Sequence, residues 1–134
     1  MHTTYIVFFF IIIFPRILFI LFYPELGGDS EIYITVAENI LNGCGVSLSN
    51  PLTKECIPHF GGNHGPGYPL FISLVWKIFN HSDLAVRIIQ SIIYSISCLW
   101  LIRSAYLLTN NKKLLTVVGV LLTLSPLLIA WPRY

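Results

Sequence analysis

All six carboxylates of this 134-residue chain, Glu25, Asp29, Glu31, Glu38, Glu55 and Asp83, lie in one segment, and the runs on either side of it are almost uncharged. That distribution imposes two solvents on one polypeptide. Uncharged runs near 20 residues match the length a helix needs to cross about 30 Å of hydrocarbon, whereas the stretch from about Pro24 to Asp83 belongs in water. The first such run, Tyr5 to Tyr23, is interrupted only by Pro15-Arg16. The second, Leu84 to Leu108, has Arg87 and Arg103 near its ends, and the third, Leu114 to Trp131, carries no charge. Charged residues make up 10% of the chain, against about 25% in soluble domains. A net charge of +2 with no basic run argues against a nucleic-acid partner. Membrane lipids are the expected surroundings.

A fourth apolar piece, Tyr68 to Phe79, carries Lys77. It is too short to span, because a helix of that length rises through well under the hydrocarbon thickness. The reading is a helix over 69–79 resting on the leaflet, with Tyr68 and Trp76 at headgroup depth and Ser73 and Lys77 forming a polar stripe. Orientation follows from the basic residues. The connection 109–113 holds Lys112 and Lys113, with Arg103 shortly before it and no acid, so that connection is expected on the cytoplasmic side. The acidic segment 24–83 is then extracytoplasmic and the N-terminus cytoplasmic. The first run lacks a basic n-region and a small-residue cleavage pattern, which favours an uncleaved anchor.

The expected fold class is therefore all-α integral membrane, multi-pass in the plasma (inner) membrane. It has three transmembrane helices (5–23, 84–108, 114–131) plus two extracytoplasmic juxtamembrane amphipathic helices (29–42 and 69–79). Ser125-Pro126 through Trp131-Pro132-Arg133-Tyr134 reads as a helix reaching its outer interface, as in the N-terminal piece, or a truncated copy, of a longer multi-span protein. Arg16 costs about 2.5–3.5 kcal/mol near the middle of a span. It needs a partner inside a bundle, which also points to further helices.

The aqueous segment opens with order. Ile32, Tyr33, Val36, Ala37, Ile40 and Leu41 repeat on one helical face, with Glu31, Thr35, Glu38 and Asn42 on the other. The apolar face is expected on the membrane or on neighbouring spans. Asp29 or Ser30 suits the N-cap and Gly43 the end. Asp29 thus sits where a span leaves lipid and the next helix begins. N-capping is its commoner role; a general base, with Glu31 as helper, is the sharper one.

From Cys44 to Gly67 the chain has no clean periodicity and is expected to be irregular, with strand-like pieces around Val46 to Leu48. Cys44 and Cys56 permit a disulfide in an oxidising compartment, although spacing alone does not establish one. Cys98, mid-span, reads as a small core residue. His59 and His64 with Asp29 and Glu31 leave a divalent metal open, but no HxxxH or CxxC spacing supports it. Asn80-His81-Ser82 is a formal glycosylation sequon. Gly65-Pro66-Gly67-Tyr68-Pro69 is a turn leading into a helix start. Arg87, one turn into the second span, can snorkel to the interface or bind a lipid phosphate.

Taken in order, an arginine-bearing first span, Gly28-Asp29-Ser30-Glu31-Ile32-Tyr33, Ala37-Glu38-Asn39-Ile40-Leu41-Asn42-Gly43, Pro66-Gly67-Tyr68-Pro69-Leu70-Phe71 and Leu84-Ala85-Val86-Arg87 with Gln90 resemble one family. It is the N-terminal portion of GT-C-fold glycosyltransferases that use polyprenyl-phosphate sugars. Relatives include protein O-mannosyltransferases, the lipid A aminoarabinose transferase and the RgtA-to-D-like group. The resemblance covers nearly the whole chain and lies in the order and spacing of several short motifs. It implies that Asp29 is the catalytic base with Glu31 beside it, and that 29–42 and 69–79 are the family's juxtamembrane helices. It further implies that His64, Tyr68 and Arg87 contact the lipid phosphate or substrate, with a polyprenyl-phosphate-sugar donor as partner. The sugar and the acceptor are not implied. Two departures stand out: Gly65 replaces the first proline of the family's Pro-Pro-Gly-Tyr-Pro run, and the family commonly has eight or more spans. A non-enzymatic accessory or lipid-binding membrane protein and a transporter fragment are the alternatives from other classes.

Overall fold

The structure is a computed structural model describing residues 2–23, 30–49, 55–58 and 65–124. It is mostly helical, with five helices and one short ladder among the described residues. In chain order these are α1 His2–Phe22, α2 Ser30–Leu41, β1 Ser47–Ser49, β2 Cys56–Pro58, α3 Gly67–Phe79, α4 Asp83–Thr109 and α5 Lys112–Leu124. Two helices are long and apolar enough to cross a bilayer: Tyr5–Phe22, with mean hydropathy 2.7, and Asp83–Thr109, with 1.7. Of the third expected span, α5 covers Lys112–Leu124, while 125–131 lie outside the described residues. The chain falls into two compact units. One is built from α1, α4 from Arg87 onward, and α5; the other comprises α2, β1, β2, α3 and the first residues of α4.

In the first unit α1 and α4 run antiparallel in a fixed register. Arg87 Nη2 donates to the Tyr23 carbonyl at 2.8 Å. Seven residues back along α1 and seven forward along α4, the Arg16 guanidinium lies 3.5 Å from the centroid of the Tyr94 ring. Four further each way, Ile12 packs with Cys98 and Ile102. Steps of seven and four keep a side chain on one helical face. Accordingly Ile12, Arg16 and Ile20 are buried on α1, and Arg87, Ser91, Ser95, Cys98 and Ile102 on α4. The α4 face is small because two of these positions are serine. Each serine satisfies its hydroxyl within the helix, Ser91 donating to the Arg87 carbonyl and Ser95 to that of Ser91, both at 2.8 Å. Small, internally satisfied side chains leave room for the bulky Arg16 and Ile12 opposite.

This arrangement corrects two expectations. Arg16 has a partner within the chain, the Tyr94 ring, so its burial does not require helices from elsewhere. Arg87 does not snorkel outward: it is buried and bound to a carbonyl at the end of α1, where helical geometry leaves carbonyls without intrahelical donors.

α5 follows a two-residue turn in which Asn110 adopts a left-handed conformation (φ 48°). The Asn111 side-chain oxygen accepts from the Lys113 backbone N–H at 2.9 Å, capping the first turn. Val118 and Leu122 pack on the Ile12–Cys98–Ile102 cluster. Gly119 lies against Phe8, whose Cε1 would be 2.6 Å from any Cβ placed there. Glycine at this position is a close-approach requirement between α5 and α1.

In the second unit the periodicity of α2 is expressed as packing. Val36 and Ala37 are buried, and the helix contacts α3 and β1, so its apolar face is covered by protein rather than by lipid or spans as expected. The helix ends at Gly43 (φ 84°), where the Cys44 N–H reaches back to the Asn39 carbonyl at 2.8 Å. A positive φ there strains any residue with a Cβ. The segment expected to be mostly irregular contains a β1–β2 antiparallel ladder pairing Ser47 with Pro58, Leu48 with Ile57 and Ser49 with Cys56. A Cys44–Cys56 disulfide joins it to the end of α2. Buried Asn39 donates its amide to the Ser47 carbonyl at 2.9 Å, tying helix to strand.

α3 begins at Gly67, slightly before the expected start, with Pro69 in its first turn where a missing N–H costs nothing. It ends on Asn80 (φ 53°), whose N–H bonds the Trp76 carbonyl. Two further expectations are corrected here. Trp76 does not lie on the surface of the unit: it is buried, and its Nε1–H donates to Asp83 Oδ1 at 3.1 Å. A carboxylate at the start of α4 lets the indole be buried with its N–H satisfied. Ser73 is also buried, donating to the Leu70 carbonyl at 2.9 Å, so it forms no exposed stripe with Lys77. The exposed face of α3 instead carries Leu70, Leu74 and Ile78 beside Lys77.

Candidate functional site

Of the sequence-predicted site residues, Glu31 and Tyr68 are described in the second unit and Arg87 in the first. Asp29 and His64 lie outside the described residues, as do His59 and the stretch just before Gly65. Glu31 is exposed in the first turn of α2, where a helix N-terminus favours negative charge. Its backbone carbonyl accepts the Thr35 hydroxyl at 2.8 Å. Ser30, immediately before it, is buried. The start of α2 therefore combines a buried hydroxyl residue with an outward carboxylate.

Tyr68 is half-buried at the start of α3. Its ring meets Tyr33 of α2 edge-on, centroids 5.2 Å apart, and stacks on Phe71 at 6.0 Å. Glu31 and Tyr33 belong to one turn of α2, so the aromatic contact couples the carboxylate-bearing turn to the start of α3. Tyr68 acts here as a packing anchor between two helices. Arg87 belongs to the other unit, bound to Tyr23 as described. The structure thus brings Tyr68 together with the α2 turn that carries Glu31.

Several residues that build this unit are not evident from sequence reasoning. Asn39 reads as part of the helix pattern, although its amide links α2 to β1; a polar residue between Ala37 and Ile40 is the available signal. Tyr33 reads as one member of an apolar stripe, and its contact with Tyr68 has no local signature. Asp83 reads as the edge of a span, whereas it accepts from Trp76. His81 stacks against Trp76 with centroids 5.0 Å apart and shares the left-handed region with Asn80 (φ 59°). No group of three or more His, Cys, Asp or Glu with metal-binding geometry occurs among the described residues.

An open cavity of about 860 Å³ lies between the end of α2 and one side of α3. Ile40, Leu41, Leu70, Leu74 and Ile78 form its apolar walls, and Asn42, Lys77, Asn80 and His81 its polar rim. No family, curated protein or solved structure matches the chain.

Proposed function

We propose that the chain carries the N-terminal, donor-presenting part of a GT-C-type glycosyltransferase that uses a polyprenyl-phosphate sugar at the outer face of a membrane. The observation that carries this reading is the second unit: two short amphipathic helices, one with Glu31 and the other with Tyr68 in its first turn, placed in sequence between two helices long enough to span. That order is the one the sequence resemblance implies. In addition, only 17% of the Tyr5–Phe22 window and 33% of the Asp83–Thr109 window is buried. Helices this apolar would have most of their surface covered in a soluble core, so hydrocarbon is the solvent that suits them.

The chemistry fits the location. A sugar joined through phosphate to a long polyprenyl chain is presented only where lipid meets water. Asp29, with Glu31 beside it, takes the proton of an acceptor hydroxyl as that oxygen attacks the anomeric carbon. The bond from the anomeric carbon to the phosphate oxygen breaks, and polyprenyl phosphate leaves with the electron pair. One displacement with one base inverts the sugar. An extracytoplasmic setting for residues 24–83 is also consistent with the Cys44–Cys56 disulfide.

The test uses membranes carrying the chain and a polyprenyl phosphate bearing a photoreactive diazirine. Cross-linking to the chain that unlabelled polyprenyl phosphate suppresses, and neutral polyprenol does not, is the expected result. Asp29→Asn keeps the cross-link, and in the complete protein it abolishes sugar transfer from a radiolabelled donor. Cross-linking that polyprenol suppresses equally well removes the donor from the proposal and favours an accessory lipid-binding protein. Near-normal transfer by Asp29→Asn removes the base.

A further inference from the structure

The cavity beside α3 has a chemistry that the glycosyl-transfer reading leaves unused. Its walls are apolar, yet it is open, so water wets Leu70, Leu74 and Ile78 unless an amphiphile covers them. Its rim is one-signed. Among the described lining residues Lys77 is the one full charge and no carboxylate is present. The nearby Asp83 accepts from the Trp76 indole and does not line the space. Asn80 and His81 add side-chain N–H donors next to Lys77. Both are held in the left-handed region at the end of α3, the His81 N–H bonding the Trp76 carbonyl at 3.0 Å. Depth follows from chain continuity: α4 starts at Asp83, two residues after His81. If α4 spans, Asn80 and His81, joined to its start by one residue, lie at headgroup level, with Lys77 less than a turn before them.

We propose that this groove seats one anionic phospholipid as a resident ligand. Its phosphodiester accepts hydrogen bonds from the Lys77 ammonium, the Asn80 carboxamide and the His81 ring N–H. One acyl chain runs along Leu70, Leu74 and Ile78. The bound lipid fixes α3 on the leaflet and thereby sets the depth of the α2–α3 unit. This rests on the membrane placement proposed above but not on the glycosyl-transfer chemistry.

The experiment is native mass spectrometry of the full chain, released from nanodiscs containing equal phosphatidylglycerol and phosphatidylcholine. One retained phosphatidylglycerol, in preference to phosphatidylcholine, is expected. Lys77→Gln lowers that retention about fivefold, the effect of roughly one surface cation on an anionic lipid, whereas Lys77→Arg preserves it. Leu74→Trp fills the groove and expels the lipid from a chain whose helical circular dichroism is unchanged. Equal retention of both lipids, or wild-type retention by Lys77→Gln, overturns the proposal. A fluorophore on Phe79→Cys, outside the groove, separates the two levels. Quenching by brominated acyl chains without selective retention sinks the lipid site and leaves α3 on the leaflet. Absence of quenching sinks the membrane placement, and the groove with it.

Discussion

Arg16 is the residue least suited to so apolar a helix as α1 and also one that joins it to α4. Its burial against the Tyr94 ring exchanges solvent for a quadrupole, an interaction worth about 2 kcal/mol when desolvated. Tyr94→Leu is therefore expected to destabilise the α1–α4 pair by about 2 kcal/mol in detergent unfolding, while Tyr94→Phe keeps the ring and nearly all of the stability. Arg16→Met in the Tyr94→Leu background is expected to restore much of the loss, because the buried charge that has lost its aromatic face is gone. An additive double mutant would show that the two side chains are not coupled. Asn39 plays the corresponding part in the second unit. Asn39→Leu leaves the Ser47 carbonyl without its amide donor and is expected to cost about 1–3 kcal/mol, read as faster amide exchange across β1.

Among elements, the close approach of α5 to α1 depends on the absence of a side chain at Gly119. Gly119→Leu places its branch in the Phe8 ring and is expected to cost about 1–3 kcal/mol. Phe8→Ala in the same chain recovers part of this by opening the space, a result that a propensity effect in α5 alone would not give. The Cys44–Cys56 bridge has a sequence separation of 12, for which chain entropy predicts about 3 kcal/mol of stabilisation. Neither cysteine is expected to react with a maleimide until reductant is added, whereas reduction releases both thiols and loosens the link between α2 and β2. Two thiols that alkylate without reductant would remove the bridge. The α2–α3 pair also shows what periodicity conveys. Ile32, Val36 and Ile40 mark the apolar face of α2 correctly, but its neighbour, α3, is invisible to a pattern that reports only which side avoids water.

For the whole molecule the decisive measurement is sidedness. A cysteine at Glu55 is expected to react with a membrane-impermeant reagent in intact cells, and one at Lys113 to react only after permeabilisation. The reverse result, or outward exposure of both, would dismantle the layout and the proposed site together.

The apolar runs, their extents and the clustering of carboxylates were legible in the sequence because hydropathy and helix rise are local properties, summed along the chain without reference to its path. Helix ends at Gly43 and Asn80 were legible in part for the same reason: backbone conformation near them depends on the residues themselves. Tertiary structure alone decided which groups met. Tyr94 opposite Arg16, Tyr23 under Arg87 and Tyr33 against Tyr68 join distant parts of the chain, and even the nearer pair of Trp76 and Asp83 meets across a helix end. Such meetings depend on helix register and rotation, which no single segment encodes. A buried arginine therefore looked like a demand for missing helices until the antiparallel register supplied an aromatic face within the same chain.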